Sequence, residues 1–242
     1  MKVAVLLPAK EINNDLNRAI ASIISQSFFL KNDYEIFLVD NSQSGDIFKK
    51  LERNAKTTIL KCSQKGIVPA LNTGIFEILN RKDIKYIARI DSDDEWLPQK
   101  LERQFEILLK DPEIKICGTQ MRLIKKNENT VLPFENSFYP TESEGIKQWL
   151  YNGANPFCHP SVIYNKEIFK TIGVYDSNYK YAEDIDLWLR AAKYFKFANT
   201  SELLINYTFE NKGETYNKIQ QGNATLAFVR TMENKKYNDC FV

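Results

Sequence analysis

Along the first half of the chain the apolar positions switch repeatedly between short unbroken runs and stripes with a helical repeat. Val3 to Leu7 is apolar throughout, the pattern of a strand covered on both faces. After it, Leu16, Ala19, Ile20, Ile23 and Ile24 fall on one helical face, with Asn13 to Asp15 placed to cap it. Tyr34 to Val39 reads as a second strand. A turn at Ser44-Gly45 and a short helix from Asp46 to Asn54 come next, then a third strand from Thr57 to Cys62. Ile67, Leu71, Gly74, Ile75 and Ile78 stripe a helix over 67–79, where Gly74 would let it approach a sheet closely. Lys85 to Ile90 is a fourth strand and runs directly into Asp91-Ser92-Asp93-Asp94. This alternation predicts βαβ units and an α/β fold with a mostly parallel sheet flanked by helices.

The second half is less regular. Leu101, Phe105, Leu108 and Leu109 mark a helix that starts with Pro98 in its first turn and stops near Pro112, and Ile114 to Leu123 reads as a strand. Residues 125–160 are polar and punctuated by Pro and Asn, which predicts a substrate-facing loop region with one short helix near Ile146 to Tyr151. Helix is expected at Lys166 to Ile172, a turn at Gly173, and helix again from Glu183, with Ile185, Trp188, Leu189 and Ala192 as its buried stripe. The last thirty residues read as a weakly amphipathic helix with a frayed end.

Composition narrows the classes. Hydrophobic residues at 43% and aromatics at 12% are those of a chain folded nearly throughout. Lys+Arg 33 against Asp+Glu 31, with no stretch of five or six like charges, excludes the basic footprint of a duplex-nucleic-acid partner. Cys62, Cys117, Cys158 and Cys240 are scattered without a C-x-x-C pair, which points to reduced thiols in a cytoplasm rather than a disulfide framework or a zinc site. The apolar run at Val3 to Leu7 is too short for a signal-peptide core or a membrane span. Any membrane contact is therefore expected to be peripheral, at the inner face of the cytoplasmic membrane.

The chemistry-bearing residues gather where the expected strands end: Glu11 after the first, Asp40 after the second, Gln64-Lys65-Gly66 after the third, Asp91 to Asp94 after the fourth. Open parallel sheets bind ligands in that crevice. Asp91 and Asp93 offer hard oxygen ligands to Mg²⁺ or Mn²⁺, which take one or two protein carboxylates and share the rest of their shell with phosphate and water. The same acids would equally cap the helix near Pro98. Glu183-Asp184 opens the last helix of the stripe pattern; Asp184 is a candidate general base for an acceptor hydroxyl, and its alternative role is again capping. His159, the single histidine, is either a structural side chain or a contact to metal or phosphate.

Taken in order, these stretches resemble the family 2 glycosyltransferases with the GT-A fold, over residues 3 to about 195. The resemblance rests on Val3 to Pro8, Glu35 to Ser42, Lys65 to Gly74, Tyr86 to Asp94, His159-Pro160-Ser161, Gly173 to Asp176, and Ala182 to Arg190. It implies a GT-A domain over 1–210, with a nucleotide-sugar half (1–124) and an acceptor-side, catalytic half (125–210), followed by a helical tail (211–242). It implies a single displacement that inverts the anomeric centre, transferring sugar from a UDP-sugar to a glycan or lipid-linked acceptor in bacterial surface-polysaccharide or lipooligosaccharide synthesis. Carried residue by residue, Pro8, Ala9 and Glu11 line the nucleoside pocket and Asp40 pairs with uracil. Lys65, Asn72, Arg89, Asp91, Ser92 and His159 belong to the donor site. Asp93 leads in holding the metal, with Asp91 and His159 as further ligands; Asp184 is the base with Glu183 beside it, and Trp188 is the acceptor contact. Two positions depart from the commonest family pattern, Asn41 after Asp40 and Leu71 before Asn72.

Other readings make distinct demands. A nucleotidyltransferase needs a Gly- and Arg-containing loop after the first strand, where this chain has Pro8-Ala9-Lys10-Glu11. A dinucleotide oxidoreductase needs G-x-G-x-x-G, which occurs nowhere. An idle nucleotide-sugar-binding protein has no need of Asp91, Asp93 and Asp184 together. Nothing in the pattern sets an oligomeric state.

Overall fold

The computed structural model describes residues 1–42, 44–50, 56–125, 130–131, 138–179 and 182–209. Nine strands form one sheet. They are β1 (Lys2–Ala9), β2 (Asp33–Asp40), β3 (Thr57–Lys61), β4 (Ile84–Arg89), β5 (Glu95–Trp96), β6 (Ile114–Lys125), β7 (Thr130–Val131), β8 (Ile163–Asn165) and β9 (Lys196–Phe209). The order is β3-β2-β1-β4-β8-β6-β9-β5, with β7 paired to β6. β1, β2, β3 and β4 are mutually parallel, as their unbroken apolar runs predict. Beyond β4 the sheet turns mixed: β8 runs antiparallel to both β4 and β6, and β9 parallel to β6. The chain goes from β1 outward to β2 and β3, then returns to place β4 on the other side of β1, so β1 and β4 flank the switch point.

The helices are α1 (Asn14–Ile24), α2 (Asp46–Lys50), α3 (Ile67–Leu79), α4 (Lys100–Lys110), α5 (Ser143–Tyr151), α6 (Ile168–Ile172) and α7 (Glu183–Ala192). Side chains of β1 alternate between two cores. Val3, Val5, Leu7 and Ala9 join α1 and α4 on one face, while Ala4 and Leu6 join α3, α5, α6 and α7 on the other. Asn13 caps α1 by accepting from Leu16 N at 2.9 Å. α4 begins at Lys100 with Pro98 outside it, later than the sequence suggests, because residues 95–96 are taken up by β5, and Leu97 N donates to Leu204 O. β5, β8 and β9 were not anticipated from sequence. The expected tail helix over 211–242 lies outside the described residues, as does Cys240. The halves 1–124 and 125–210 share the one sheet, since β8 and β9 pair with β4 and β6.

Gly74 fills the role expected of it. A Cβ there would overlap Leu6 Cδ1 and sit 3.1 Å from Val39 Cγ2. Ala ordinarily stabilises a helix relative to Gly, yet Gly74→Ala should destabilise the fold by about 1–3 kcal/mol through overpacking. Urea unfolding measures it, and a variant as stable as the parent would show the α3–β1 contact to be looser than described.

Candidate functional site

The carboxyl ends of β1, β2 and β3 are stitched together by backbone and amide bonds. Asn41 N donates to Ala9 O at 2.8 Å and Cys62 N to Asp40 O at 2.9 Å. The Asn41 side chain bridges the next loop: its Nδ2 donates to Gln64 O at 2.8 Å and its Oδ1 accepts from Gly66 N at 3.3 Å. A carboxylate at 41 has no donor for Gln64 O, which gives this departure from the family pattern a structural reason. Leu71 is fully buried in the core beneath α3.

Several residues expected in the donor pocket are committed elsewhere. Asp40 has no exposed surface, and its Oδ1 accepts from Ser42 N at 2.9 Å and Ser42 Oγ at 2.6 Å, so in this conformation it orders the loop and presents nothing to a base. Asn72 clasps the backbone of Tyr175, donating from Nδ2 to its carbonyl at 2.8 Å and accepting from its amide at 3.1 Å. It ties α3 to the turn after Gly173. Pro8 and Ala9 are buried at the end of β1, whereas Glu11 and Lys65 are exposed on the surrounding loops. A cleft of about 300 Å³ lined by Lys61, Gln64, Asn72, Thr73, Phe76 and Ser177 opens beside the third of those loops.

Arg89, the last residue of β4, is the electrostatic centre. It is buried, and its Nη2 donates to Asp91 Oδ1 at 2.6 Å, while Nε and Nη1 find no partner among the described residues. Burial opposes its charge, but Asp91 first, then Tyr175, Tyr164 and Asp94, hold the guanidinium cationic. The same charge acts on Glu183, Asp184 and His159. Asp91 and the Glu183-Asp184 pair therefore share one charged neighbourhood, and Glu183 feels both Asp184 and Asp91.

The Asp91–Asp94 turn is pinned from two directions. Arg18 Nη2 on α1 donates to Asp93 O at 2.8 Å, and Thr208 Oγ1 at the end of β9 donates to the same carbonyl at 2.5 Å. Thr208 N donates to Asp94 Oδ1 at 2.8 Å; Asp94 is buried, its Oδ2 has no partner among the described residues, and burial with repulsion from Asp93 and Asp91 pushes its carboxyl well above the usual range. Asp91, Ser92 and Asp93 stay half-buried. Asp91 and Asp93, the half-buried acids of the turn, offer hard oxygens of the kind a divalent cation shares with phosphate. Among the described residues no group of three or more His, Cys, Asp or Glu is arranged to hold a metal by itself, so His159 does not complete an all-protein site with Asp91 and Asp93.

His159 opens a short 3₁₀ turn held from beneath: Trp96 Nε1 donates to Pro160 O at 3.1 Å, and Gln104 Nε2 to Ser161 O at 2.9 Å. Its Nε2 meets Tyr175 OH at 2.7 Å, and Tyr175 OH meets Tyr164 OH at 2.7 Å. Burial, with Arg89 adding, holds the imidazole well below its usual range, so it is neutral at pH 7.

At the start of α7, burial first and then Asp184 push Glu183 up to about 8. Burial also raises Asp184, but Asn155 Nδ2 donates to its Oδ2 at 2.7 Å and Ile185 N to its Oδ1 at 2.8 Å, both favouring the ionised form. Both carboxyls are thus held above their usual range, and of the two Asp184 alone has a side-chain donor favouring its ionised form. Asn155 was missed in the sequence, its one local signal being an Asn before Pro156 in a stretch read as loop. Trp188 corrects an expectation: it has no exposed surface, stacks on Tyr164 at 5.8 Å between centroids and meets His159 edge-on at 5.8 Å, so it is core and not an acceptor contact. The exposed aromatics nearest Asn155 in the chain are Trp149 and Tyr151 of α5.

Comparison with known proteins shows the family and the fold. The model of glycosyl transferase family 2 matches residues 4–173. The chain is 28% identical over 222 residues to the O-antigen biosynthesis glycosyltransferase WbnJ of Escherichia coli, covering 87% of this chain and 80% of that protein. It is also 28% identical over 193 residues to the amylovoran biosynthesis glycosyltransferase AmsE of Erwinia amylovora, covering 78% and 68%. Among solved structures, S. aureus TarS 1-349 in complex with UDP-GlcNAc superposes with a TM-score of 0.64 at 18% identity, over 88% of this chain and 60% of that one. The mannosyltransferase PcManGT from Pyrobaculum calidifontis in complex with GDP-Man and Mn²⁺ gives 0.67 at 14%, over 97% and 64%. These two likenesses establish the fold, and the chain spans less than two thirds of either structure.

Proposed function

Because the chain belongs to glycosyl transferase family 2 and is a glycosyltransferase, we propose that it moves a sugar from a UDP-sugar onto a hydroxyl of a glycan or lipid-linked acceptor, with inversion at the anomeric carbon. The observation that carries the reading is the convergence of Asp91 and Glu183-Asp184 on one buried Arg89 at the switch point. Residues 1–124 supply the donor side and 125–210 the acceptor side. Surface-polysaccharide or lipooligosaccharide assembly is the setting that the two named relatives support. Among the described residues no helix is long and apolar enough to cross a membrane, so a lipid-linked acceptor would be met at the membrane surface.

Asp93 would hold Mg²⁺ or Mn²⁺, with Asp91 second, since Asp91 already serves Arg89. Such an ion, when bound, supplies charge neutralisation to the departing nucleoside diphosphate. The chain does the remainder. Asp184 accepts the proton of the acceptor hydroxyl as its oxygen attacks, and Glu183, protonated at neutral pH, adds no second negative charge beside it. Pro8, Ala9, Glu11, Lys65 and Ser92 frame the donor, and neutral His159 presents its ring beside Arg89.

The test is a panel of UDP-sugars, each scored for UDP release with Mn²⁺, with Mg²⁺ and with neither. Metal-dependent release from one sugar is expected. UDP protection of the fold with no release from any sugar, across several acceptors, would instead favour a binding protein. Asp93→Ala should weaken metal-dependent UDP binding at least ten-fold in titration calorimetry; unchanged affinity removes Asp93 from the site.

A further inference from the structure

We propose that Asn155 is a positioning residue of the transfer reaction: it aims the Asp184 carboxylate and settles which of two adjacent acids receives the acceptor's proton. The inference deepens the reading of Asp184 as base and rests on it. Its ground is geometric. Gly153, at φ 86°, ends α5 in a conformation that favours glycine, and the Gly153 and Ala154 amides close the helix by donating to Leu150 O and Trp149 O, each at 2.9 Å. The chain is thus turned back, and Pro156 restricts the residue before it to extended backbone. Pro156 O in turn accepts from Asn199 Nδ2 at 3.0 Å, anchoring the segment to β9.

The Asn155 amide is held at both ends. Its Oδ1 accepts from Phe157 N at 3.2 Å, which leaves the Nδ2 end to donate to Asp184 Oδ2 at 2.7 Å. Ile185 N occupies the other carboxylate oxygen, so the plane of the carboxylate is fixed by two donors from different segments. Each oxygen keeps a lone pair for a proton. Glu183, next to it in the chain, accepts from no side chain among the described residues and is reached by its own backbone amide. The remaining groups facing the pair are Arg89 and Asp91 at the end of β4, and the hydroxyls of Tyr164, Tyr175 and Tyr139.

In the step itself the acceptor O–H bond breaks and its proton passes to Asp184. The acceptor oxygen bonds to the anomeric carbon, and the bond from that carbon to the diphosphate oxygen breaks, releasing UDP with the electron pair. Without the Asn155 donor, Asp184 holds a proton at higher pH and competes poorly with Glu183 for the anionic state.

Asn155→Leu preserves volume and removes the donor; Asn155→Ser is the milder change should the first fold poorly. UDP affinity is expected to stay as in the parent. Transfer or donor hydrolysis should fall about ten-fold at pH 6 and recover towards the parent rate at high pH, the acid limb of kcat/KM having moved up. The ¹³C carboxyl titration of Asp184 should move the same way, which reads the effect without any activity. A pH profile and an Asp184 titration both identical to the parent in a folded variant overturn the proposal. Failure of the underlying reading shows separately, as an Asp184→Asn protein that still transfers sugar.

Discussion

Asp184→Asn is expected to cut sugar transfer by about 10²–10⁴-fold, the usual contribution of a general base, while UDP affinity stays within a few-fold. The asymmetry follows from where the residue sits. Its carboxylate is half-buried at the start of α7, bound to Asn155 and its own helix, and touches neither the Asp91–Asp94 turn nor the loops after β1 and β2 through any hydrogen bond described. An amide keeps the shape and loses the ability to take a proton. Glu183 cannot substitute without cost, because burial first and then Asp184 push it up to about 8 and, among the described residues, no side chain donates to its carboxylate. Single-turnover transfer with isothermal titration of UDP separates the outcomes. Intact transfer with lost UDP binding would move Asp184 to the donor side.

Asp91→Ala carries the largest expected stability cost. Arg89 keeps a guanidinium in the interior with one carboxylate partner at 2.6 Å and two nitrogens already without partners among the described residues. Removing that partner strands a buried cation, which ordinarily costs about 3–5 kcal/mol. Asp94 and Glu183, both pushed towards the neutral form, could ionise in compensation, so the lower end, about 3 kcal/mol, is the expectation. Urea unfolding of the parent, Asp91→Ala, and the double variant Asp91→Leu with Arg89→Met makes the test complete. The double variant should regain most of the loss, since it removes both charges together. A single variant within about 0.5 kcal/mol of the parent would mean that Arg89 is solvated or paired differently.

The sequence disclosed what is local and periodic. Unbroken runs set β1 to β4, the stripes set α1, α3 and α7, and α3 begins and ends at the residues expected, Ile67 and Leu79. The acidic turn was visible because Asp91 directly follows a buried run. Pairing at a distance was not visible. β8 has three residues, Ile163–Asn165, and exists because β4 and β6 flank it. β9 carries Asn199, Thr200, Ser201 and Glu202 through its middle, where the register with β6 shifts, so no clean alternation announces a strand. Asn72 and Asn155 each bond to a partner in another segment, 103 residues away for Asn72 and 29 for Asn155, so neither contact shows in the local pattern. For Trp188 the helical stripe was the better guide, since it already placed the ring on the buried face with Ile185 and Leu189.

Thr208 fastens the Asp93 carbonyl and Asp94 from the far end of the ninth strand, about half the chain later. During synthesis, the Thr208 side of the clamp can close only after β9 has emerged, later than the Arg18 side of the same carbonyl. A ribosome-bound chain paused before residue 196 would carry β1 to β4 in full and yet leave this turn held on one side, its second clasp waiting on a strand still to be made.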